Sequence, residues 1–449
     1  MVNAKILGEG IPTEFQTSSN TIVFDGFYNV NLEKFNQVLC LELNTTSKQN
    51  VLDVIKVLEK RPDIKYAGPD YVITMYAAAD DVPTINSQWA VDRIQLPEAS
   101  EIASGNDVVI VGVIDSGIDG NHPYLANSIL DISYHRDYST GSVSNVSVLE
   151  DSDGHGTAVA GIIVAVEYNG TDIVGTRRNI KLVSLKVFDS NRQALASSVA
   201  QAIEYAYSRG IPILNFSGGF YGSVDPESNF DQALYEVIDS YTGLFICASG
   251  NNGWNNDLHA VFPANYHLDN LIAVGASTSD DHAWGYSNFG EITVDLFAPG
   301  EGVLTCYPDG RCGNCDPTVC PAPGYHYVDG TSFAAPFVTG VAALILTTYP
   351  DMPAAQIKDR IMISVDTVYD DDTDVYVDKC ISGGRLNAYK ALHDHSFTIS
   401  PYSSVKHMLA CSCGVVMYDG HTLEDVVVTL PSGQTMVASQ CAICGYLHS

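Results

Sequence analysis

Positive charge is scarce in this sequence. Its 449 residues hold 22 Lys and Arg against 53 Asp and Glu, a formal net charge of -31. Nucleic acids and anionic membrane surfaces are held through lysine and arginine, so this balance argues against both as partners. Acidity of this kind suits the solubility of an exported protein. Long apolar runs are lacking as well. No stretch of about 18 consecutive apolar residues occurs, and no membrane span is expected. No basic segment followed by an apolar one marks a secretory leader, so either a leader was removed or the protein stays inside the cell. Repeats and low-complexity tracts are also missing. What remains is the composition of one large domain with smaller appendages.

Cysteine, in contrast, is present and unevenly placed. The total is eleven, so at least one thiol has no intramolecular partner. Cys40 and Cys247 sit in apolar strand-like runs and read as small buried hydrophobes. Cys306, Cys312, Cys315 and Cys320 crowd one segment, which fits two disulfides or one zinc cluster. Outside the cytosol disulfides are favoured. Cys380 stands apart. Near the end, Cys411, Cys413, His421, Cys441 and Cys444 offer five ligands for a four-coordinate ion, and Cys441-Ala442-Ile443-Cys444-Gly445 looks like a zinc-knuckle turn. Structural zinc is the preferred reading there, with disulfides as the alternative.

The hydrophobic pattern divides the chain in three. Residues 1–76 read as a small α+β unit: Asn36–Leu43 is strand-like, Ser47–Lys60 places Val51, Val54, Ile55 and Leu58 at helical spacing, and Ile64–Tyr76 is extended around Pro69. The run Ala77–Pro83 looks like a cuttable linker. Residues 77–394 alternate short, continuously apolar strands (Val108–Ile114, Ile180–Val187, Ile211–Asn215, Leu244–Ala248, Leu271–Val274) with helical patterns at Ala194–Ser208, Phe230–Ser240, Gly330–Thr348 and Ala354–Ser364. Strands apolar on both faces imply a parallel sheet covered by helices, an α/β fold with its sites at the carboxyl ends of strands. Residues 395–449 form a third, cysteine-rich module rich in Thr, Ser and Val.

Four motifs carry chemistry. The strand Val108–Ile114 runs into Asp115, a carboxylate that needs hydrogen bonds if it is buried. In Asp153-Gly154-His155-Gly156-Thr157, a histidine stands between two glycines that leave room for a substrate backbone. Ala248-Ser249-Gly250-Asn251-Asn252-Gly253 puts an amide in a glycine-rich turn, where it could donate to a developing oxyanion. Gly330-Thr331-Ser332-Phe333-Ala334-Ala335-Pro336 opens an apolar helix with a serine in its first turn, at the positive end of the dipole. Taken singly, each has a plain structural reading as a turn or cap.

Together, in the order Asp115, His155, Asn251, Ser332, these stretches resemble the subtilisin-like serine peptidases over residues 86–392, about two-thirds of the chain. The resemblance implies that Ser332 attacks the peptide carbonyl, His155 moves its proton, Asp115 orients the imidazole, and Asn251 with the Ser332 N–H holds the oxyanion. It assigns Ser217, Gly218 and Gly219 to the edge that pairs with an extended substrate, in a segment one residue shorter than the family's usual one, and adds Gly250 and Thr331 to the substrate-binding set.

Residues 1–76 resemble the family's propeptide, a folding aid and inhibitor. That implies a zymogen that cuts itself near Tyr76-Ala77, a pocket for aromatic or large apolar residues before the cut, and an apolar subsite for Ile73. Protein or peptide substrates and the chain's own propeptide are thus the implied partners. No cofactor is implied for catalysis. Glu167–Ile173 resembles a calcium loop of the family, although Tyr124 stands where an aspartate ligand is usual. Secretion is the implied setting. The alternatives are an intracellular processing enzyme and a silent protein-binding pseudopeptidase.

Overall fold

The computed structural model describes the chain except residues 1, 7–13, 17–20, 30–37, 44–46, 62–63, 77–88, 104–106, 141–142, 148, 165–178, 223–231, 309–323, 368, 371–372, 375, 377, 395–396, 402–405, 414, 421–422, 430–434, 442–446 and 449. At its centre is an eight-stranded sheet in the order Leu296–Pro299, Leu271–Ser277, Leu244–Ala248, Ile213–Phe216, Val109–Asp115, Ile180–Lys186, Arg136–Asp137, Ser144–Asn145. All neighbours are parallel except the last pair.

The continuous apolar strands make sense because both faces are covered. Val111, Val113, Ile213, Leu244, Ile246 and Ile272 join a core on one face with the helices His155–Val164 and Thr331–Thr348. Ile114, Leu214, Phe216, Phe245 and Cys247 join a second core with the helices Ala196–Ser208 and Gln232–Ser240. Alternate residues thus serve opposite layers. The expected α/β architecture is what the chain adopts.

Element ends differ from expectation for local reasons. The third strand begins at Ile213, not Ile211, because Pro212 has no N–H to give a ladder. The strand Leu296–Pro299 escaped the apolar-run criterion because Asp295 precedes it. That carboxylate is buried, accepts from Ala273 N at 2.7 Å and pairs with Lys358 at 3.0 Å. The helix Thr331–Thr348 does have the length and hydropathy to cross a membrane, although Thr331, Ser332, Thr339 and Thr347 interrupt its apolar run. It is buried almost throughout inside the domain, so it serves as the core helix.

The N-terminal unit is a five-stranded antiparallel sheet, ordered Glu14–Gln16, Thr21–Asn29, Val38–Leu43, Val2–Ile6, Ile64–Pro69. The helix Lys48–Leu58, capped by Ser47 through Asn50 N, buries Val54, Ile55 and Leu58. Beyond residue 395 the strands form two three-stranded antiparallel sheets, Phe397–Pro401 with Lys406–Cys411 and Val416–Gly420, and Leu423–Thr429 with Thr435–Cys441 and Leu447–His448.

Gly112 shows how tightly the sheet is covered, since a Cβ there would sit 2.5 Å from Leu214 Cδ2 and 3.2 Å from Leu185 Cδ1. Gly112→Ala is therefore expected to lower stability by about 1–3 kcal/mol through overpacking. Denaturant unfolding in a Ser332→Ala background, where self-digestion cannot intervene, measures this. An unchanged midpoint would mean that the two leucines yield freely.

Candidate active site

The strand Val109–Asp115 delivers its last side chain, fully buried, to the edge of the core. Asp115 Oδ1 accepts from Ser116 N at 2.7 Å and from His155 Nδ1 at 2.8 Å. His155 is the first residue of its helix and nearly as buried. Burial opposes a charge on this imidazole, but the Asp115 carboxylate and its direct hydrogen bond outweigh burial and hold the pKa above the ordinary value.

The two glycines around His155 do a different job from the one expected of them. A Cβ at Gly156 would collide with the Gly117 carbonyl, and one at Gly154 with the Tyr307 ring. They admit the protein's own backbone and a neighbouring aromatic, so the room is used for packing and not for substrate. Sequence reasoning also missed Asp151. Its buried carboxylate accepts from Asp153 N, Gly154 N, Thr157 N, Thr157 Oγ1 and Ser116 Oγ at 2.7–3.1 Å, tying the His155 helix to the Asp115 turn. An acid shortly before a helix start is a capping signal that could have revealed it.

Ser332 is the second residue of the core helix, after Gly330 at φ +140°. Its hydroxyl donates to the carbonyl oxygen of Tyr76 at 2.6 Å. Asn251 Nδ2 reaches the same oxygen at 3.5 Å. The amide's orientation follows from its other end, since Asn251 Oδ1 accepts from Thr331 N at 3.0 Å and Thr331 Oγ1 at 2.8 Å. Gly250 N in turn donates to Thr331 Oγ1 at 3.2 Å. Gly250 and Thr331 thus aim Asn251, a positioning task, where substrate contact was expected.

Residues 72–76 run through the cleft as a strand. Val72–Met75 lies antiparallel between Gln193–Leu195 and Gly218–Tyr221, pairing Met75 with Gly218 and Thr74 with Gly219. Tyr76 N donates to Ser217 O at 3.4 Å and Met75 N to Arg192 O at 3.1 Å. Ser217, Gly218 and Gly219 thus line an extended segment of the chain's own backbone. A Cβ at Gly218 would meet Phe188 Cζ at 2.6 Å, and one at Gly219 would run into the Tyr76 hydroxyl, so both glycines make room beside this strand. Ile73, Met75 and Tyr76 are buried while Val72 and Thr74 face out. The Tyr76 ring packs with Ala248 and Val261.

The metal-related expectations fare unevenly. Cys306 is a fully buried core residue with a free thiol that burial pushes up; its expected partners Cys312, Cys315 and Cys320 lie outside the described residues. Tyr124 is buried against Tyr325 with ring centroids 5.0 Å apart. It offers a ring where calcium would want a carboxylate, so the described part of that site does not fit the ion; Glu167–Ile173 lies outside the described residues. In the tail, Cys411 and Cys413 come together with His393, a residue that sequence reasoning passed over. His421, Cys444 and the Cys441 side chain are outside the described set.

A buried carboxylate–imidazole pair, a helix-borne serine and an aimed amide, gathered at strand ends beside a docked backbone, are the equipment of a serine-type peptidase. The chain belongs to the subtilase family, whose profile matches residues 106–382. Relatives include thermitase of Thermoactinomyces vulgaris, 31% identical over 68% of this chain and 95% of that one, and subtilisin DY of Bacillus licheniformis, 33% identical over 56% and 82%. A thermophilic serine proteinase of Bacillus sp. strain AK1 is 28% identical over 78% of both chains. The protein is a serine endopeptidase that needs no cofactor for catalysis.

A histidine whose folded pKa lies above its unfolded value of about 6.5 adds stability that is full below that pH and is lost as pH rises through the folded value. The Ser332→Ala chain should lose this contribution over that window, and adding Asp115→Asn should flatten the loss. Denaturant unfolding over a pH series, compared between the two variants, checks this. Parallel curves would mean that the Asp115 charge does not hold the imidazole proton.

Proposed function

We propose that the chain is a zymogen whose first 76 residues act as propeptide and inhibitor, and that it cuts itself between Tyr76 and Ala77. The observation carrying this reading is the convergence of Ser332 Oγ and Asn251 Nδ2 on the Tyr76 carbonyl oxygen. Ser332 Oγ forms a bond to the Tyr76 carbonyl carbon as its proton passes to His155 Nε2. Asn251 stabilises the resulting oxyanion. Collapse breaks the bond to Ala77 nitrogen, which leaves with the proton from His155. Water, deprotonated by His155, then hydrolyses the acyl-enzyme and frees Ser332. Asp115 keeps the proton of the neutral imidazole on Nδ1 and so leaves Nε2 as the base.

The same reading gives the specificity. Residues 72–75 add a strand to the cleft, the Tyr76 ring occupies the primary pocket, and Ile73 fills a further apolar subsite. Asp70 caps the helix Ala196–Ser208 by accepting from Ser197 N at 3.0 Å and Ser197 Oγ at 2.7 Å, which helps dock the first unit on the peptidase. We further propose secretion, which the acidic composition suits, and structural zinc in residues 395–449.

Expression of the full chain beside Ser332→Ala, with N-termini read by mass spectrometry and a fluorophosphonate probe, tests the central reading. Wild type should be cut after Tyr76 and labelled, and the variant should stay whole and unlabelled. Asn251→Ala should slow self-cleavage roughly 100- to 1,000-fold, a magnitude carried over from the corresponding amide of subtilisin. Cleavage by Ser332→Ala, or at an unrelated bond, would overturn the proposal.

The pocket makes a finer prediction. The Tyr76 hydroxyl is buried and has no hydrogen-bond partner among the described residues. A stranded buried donor costs about 1–3 kcal/mol, so phenylalanine should be accepted at least as well as tyrosine before the cut. Peptides differing only there, compared by kcat/KM, decide the matter. A clear preference for tyrosine would mean that the hydroxyl finds a partner.

A further inference from the structure

We infer that His393, Cys411 and Cys413 are three ligands of one zinc ion that clasps the C-terminal module to the peptidase domain. The inference shares with the tail-zinc reading above only the premise that Cys411 and Cys413 hold an ion. It adds a ligand from the other side of the junction.

The imidazole belongs to the peptidase domain. His393 ends the helix Ala388–Leu392, with its N–H donating to Tyr389 O at 2.9 Å. Its carbonyl accepts from Arg360 Nη2 at 2.7 Å, and Arg360 Nε holds Ala391 O at 2.5 Å. Tyr389 flanks the ring at 5.6 Å between centroids. The helix end that carries His393 is therefore fixed without help from the tail.

The thiols come from the closed end of a hairpin. Cys411 closes the strand Lys406–Cys411, and its N–H bonds Val415 O at 2.8 Å, which brackets Cys413 within the turn. Cys411 Sγ lies 3.9 Å from His393 Nδ1, and all three ligand atoms lie within 4.8 Å of one another. Tetrahedral zinc, with Zn–S near 2.3 Å and Zn–N near 2.0 Å, sets neighbouring ligand atoms about 3.5–3.8 Å apart. The Cys411–His393 pair lies within about half an ångström of that edge, and shifts of about an ångström or less would bring all three atoms to it.

Two thiolates and an imidazole form a soft to borderline set that favours zinc over calcium or magnesium. A cysteine-x-cysteine turn alone gives only two donors. The third, at a rigid helix end, turns the hairpin into one half of a cross-link. Binding would close residues 394–410 into a loop and hold the module in place. The fourth position falls to Cys441, Cys444 or water.

The test uses the full chain carrying Ser332→Ala, loaded with zinc and stripped of loose metal by gel filtration. Metal per chain is measured by mass spectrometry, and cobalt is substituted to read thiolate charge-transfer absorption. One ion per chain is expected. His393→Ala should weaken binding by more than the roughly 10- to 100-fold that loss of an outer-shell partner costs. His393→Cys should restore it, which guards against a folding artefact. No stoichiometric metal in the parent chain would overturn both this inference and the tail-zinc reading. Retention in His393→Ala with loss in Cys441→Ser/Cys444→Ser would sink the clasp and leave the ion wholly in the tail. Loss in His393→Ala with retention in the double variant would establish the clasp with water in fourth place. Loss in both would establish it with a tail cysteine as fourth ligand.

Discussion

A carboxylate buried at the end of a strand is a liability until something holds it, and much of this molecule is arranged around Asp115, whose Oδ1 takes two hydrogen bonds while Oδ2 has no partner among the described residues. The imidazole of His155 takes one oxygen at 2.8 Å, and the adjacent backbone N–H takes the same atom. Those two contacts dictate that the His155 helix start within reach of the strand end. Asp151 secures this by gathering the helix N–H groups and the Ser116 hydroxyl on one carboxylate. Gly156 is demanded by the same approach, since no side chain fits against the Gly117 carbonyl. The acidic pair thus fixes the local backbone as well as the protonation of one ring.

Much of the central architecture is legible in the sequence, because a sheet buried on both faces leaves a strong mark. Leu244–Ala248 matches its expected span, and the helix at Ala354 begins where anticipated. The site residues were legible for a different reason: four short motifs recur in a known order, a matter of kinship more than of physics. What stayed hidden involved atoms that only tertiary structure brings together. Asp151 looks like an ordinary surface acid in a run of acids. Asp295 interrupts an apolar stretch and conceals a strand, since its partner Lys358 is far along the chain. His393 sits alone, and nothing in its neighbourhood suggests two thiols arriving from a later hairpin.

The glycines teach a related lesson. Their placement around the histidine was noticed, but sequence could not say what would fill the space they leave. At Gly154 and Gly156 the protein fills it with its own atoms, whereas at Gly219 the guest is the ring of Tyr76. The same residue type opens room for packing in one place and for recognition in another, and only the neighbours distinguish them.

The strand Val72–Met75 is bonded on both sides by the peptidase domain while covalently joined to it through residues 77–88. A tethered segment sees its cleft at an effective concentration set by the linker, so occupancy does not depend on how dilute the protein is. Opening the bond after Tyr76 would change the molecularity of that contact. The same hydrogen bonds would then belong to a bimolecular complex, and the N-terminal unit, once lost from the cleft, would have to find it again through solution. Dilution, which cannot touch the intact chain, would become the force that empties the site.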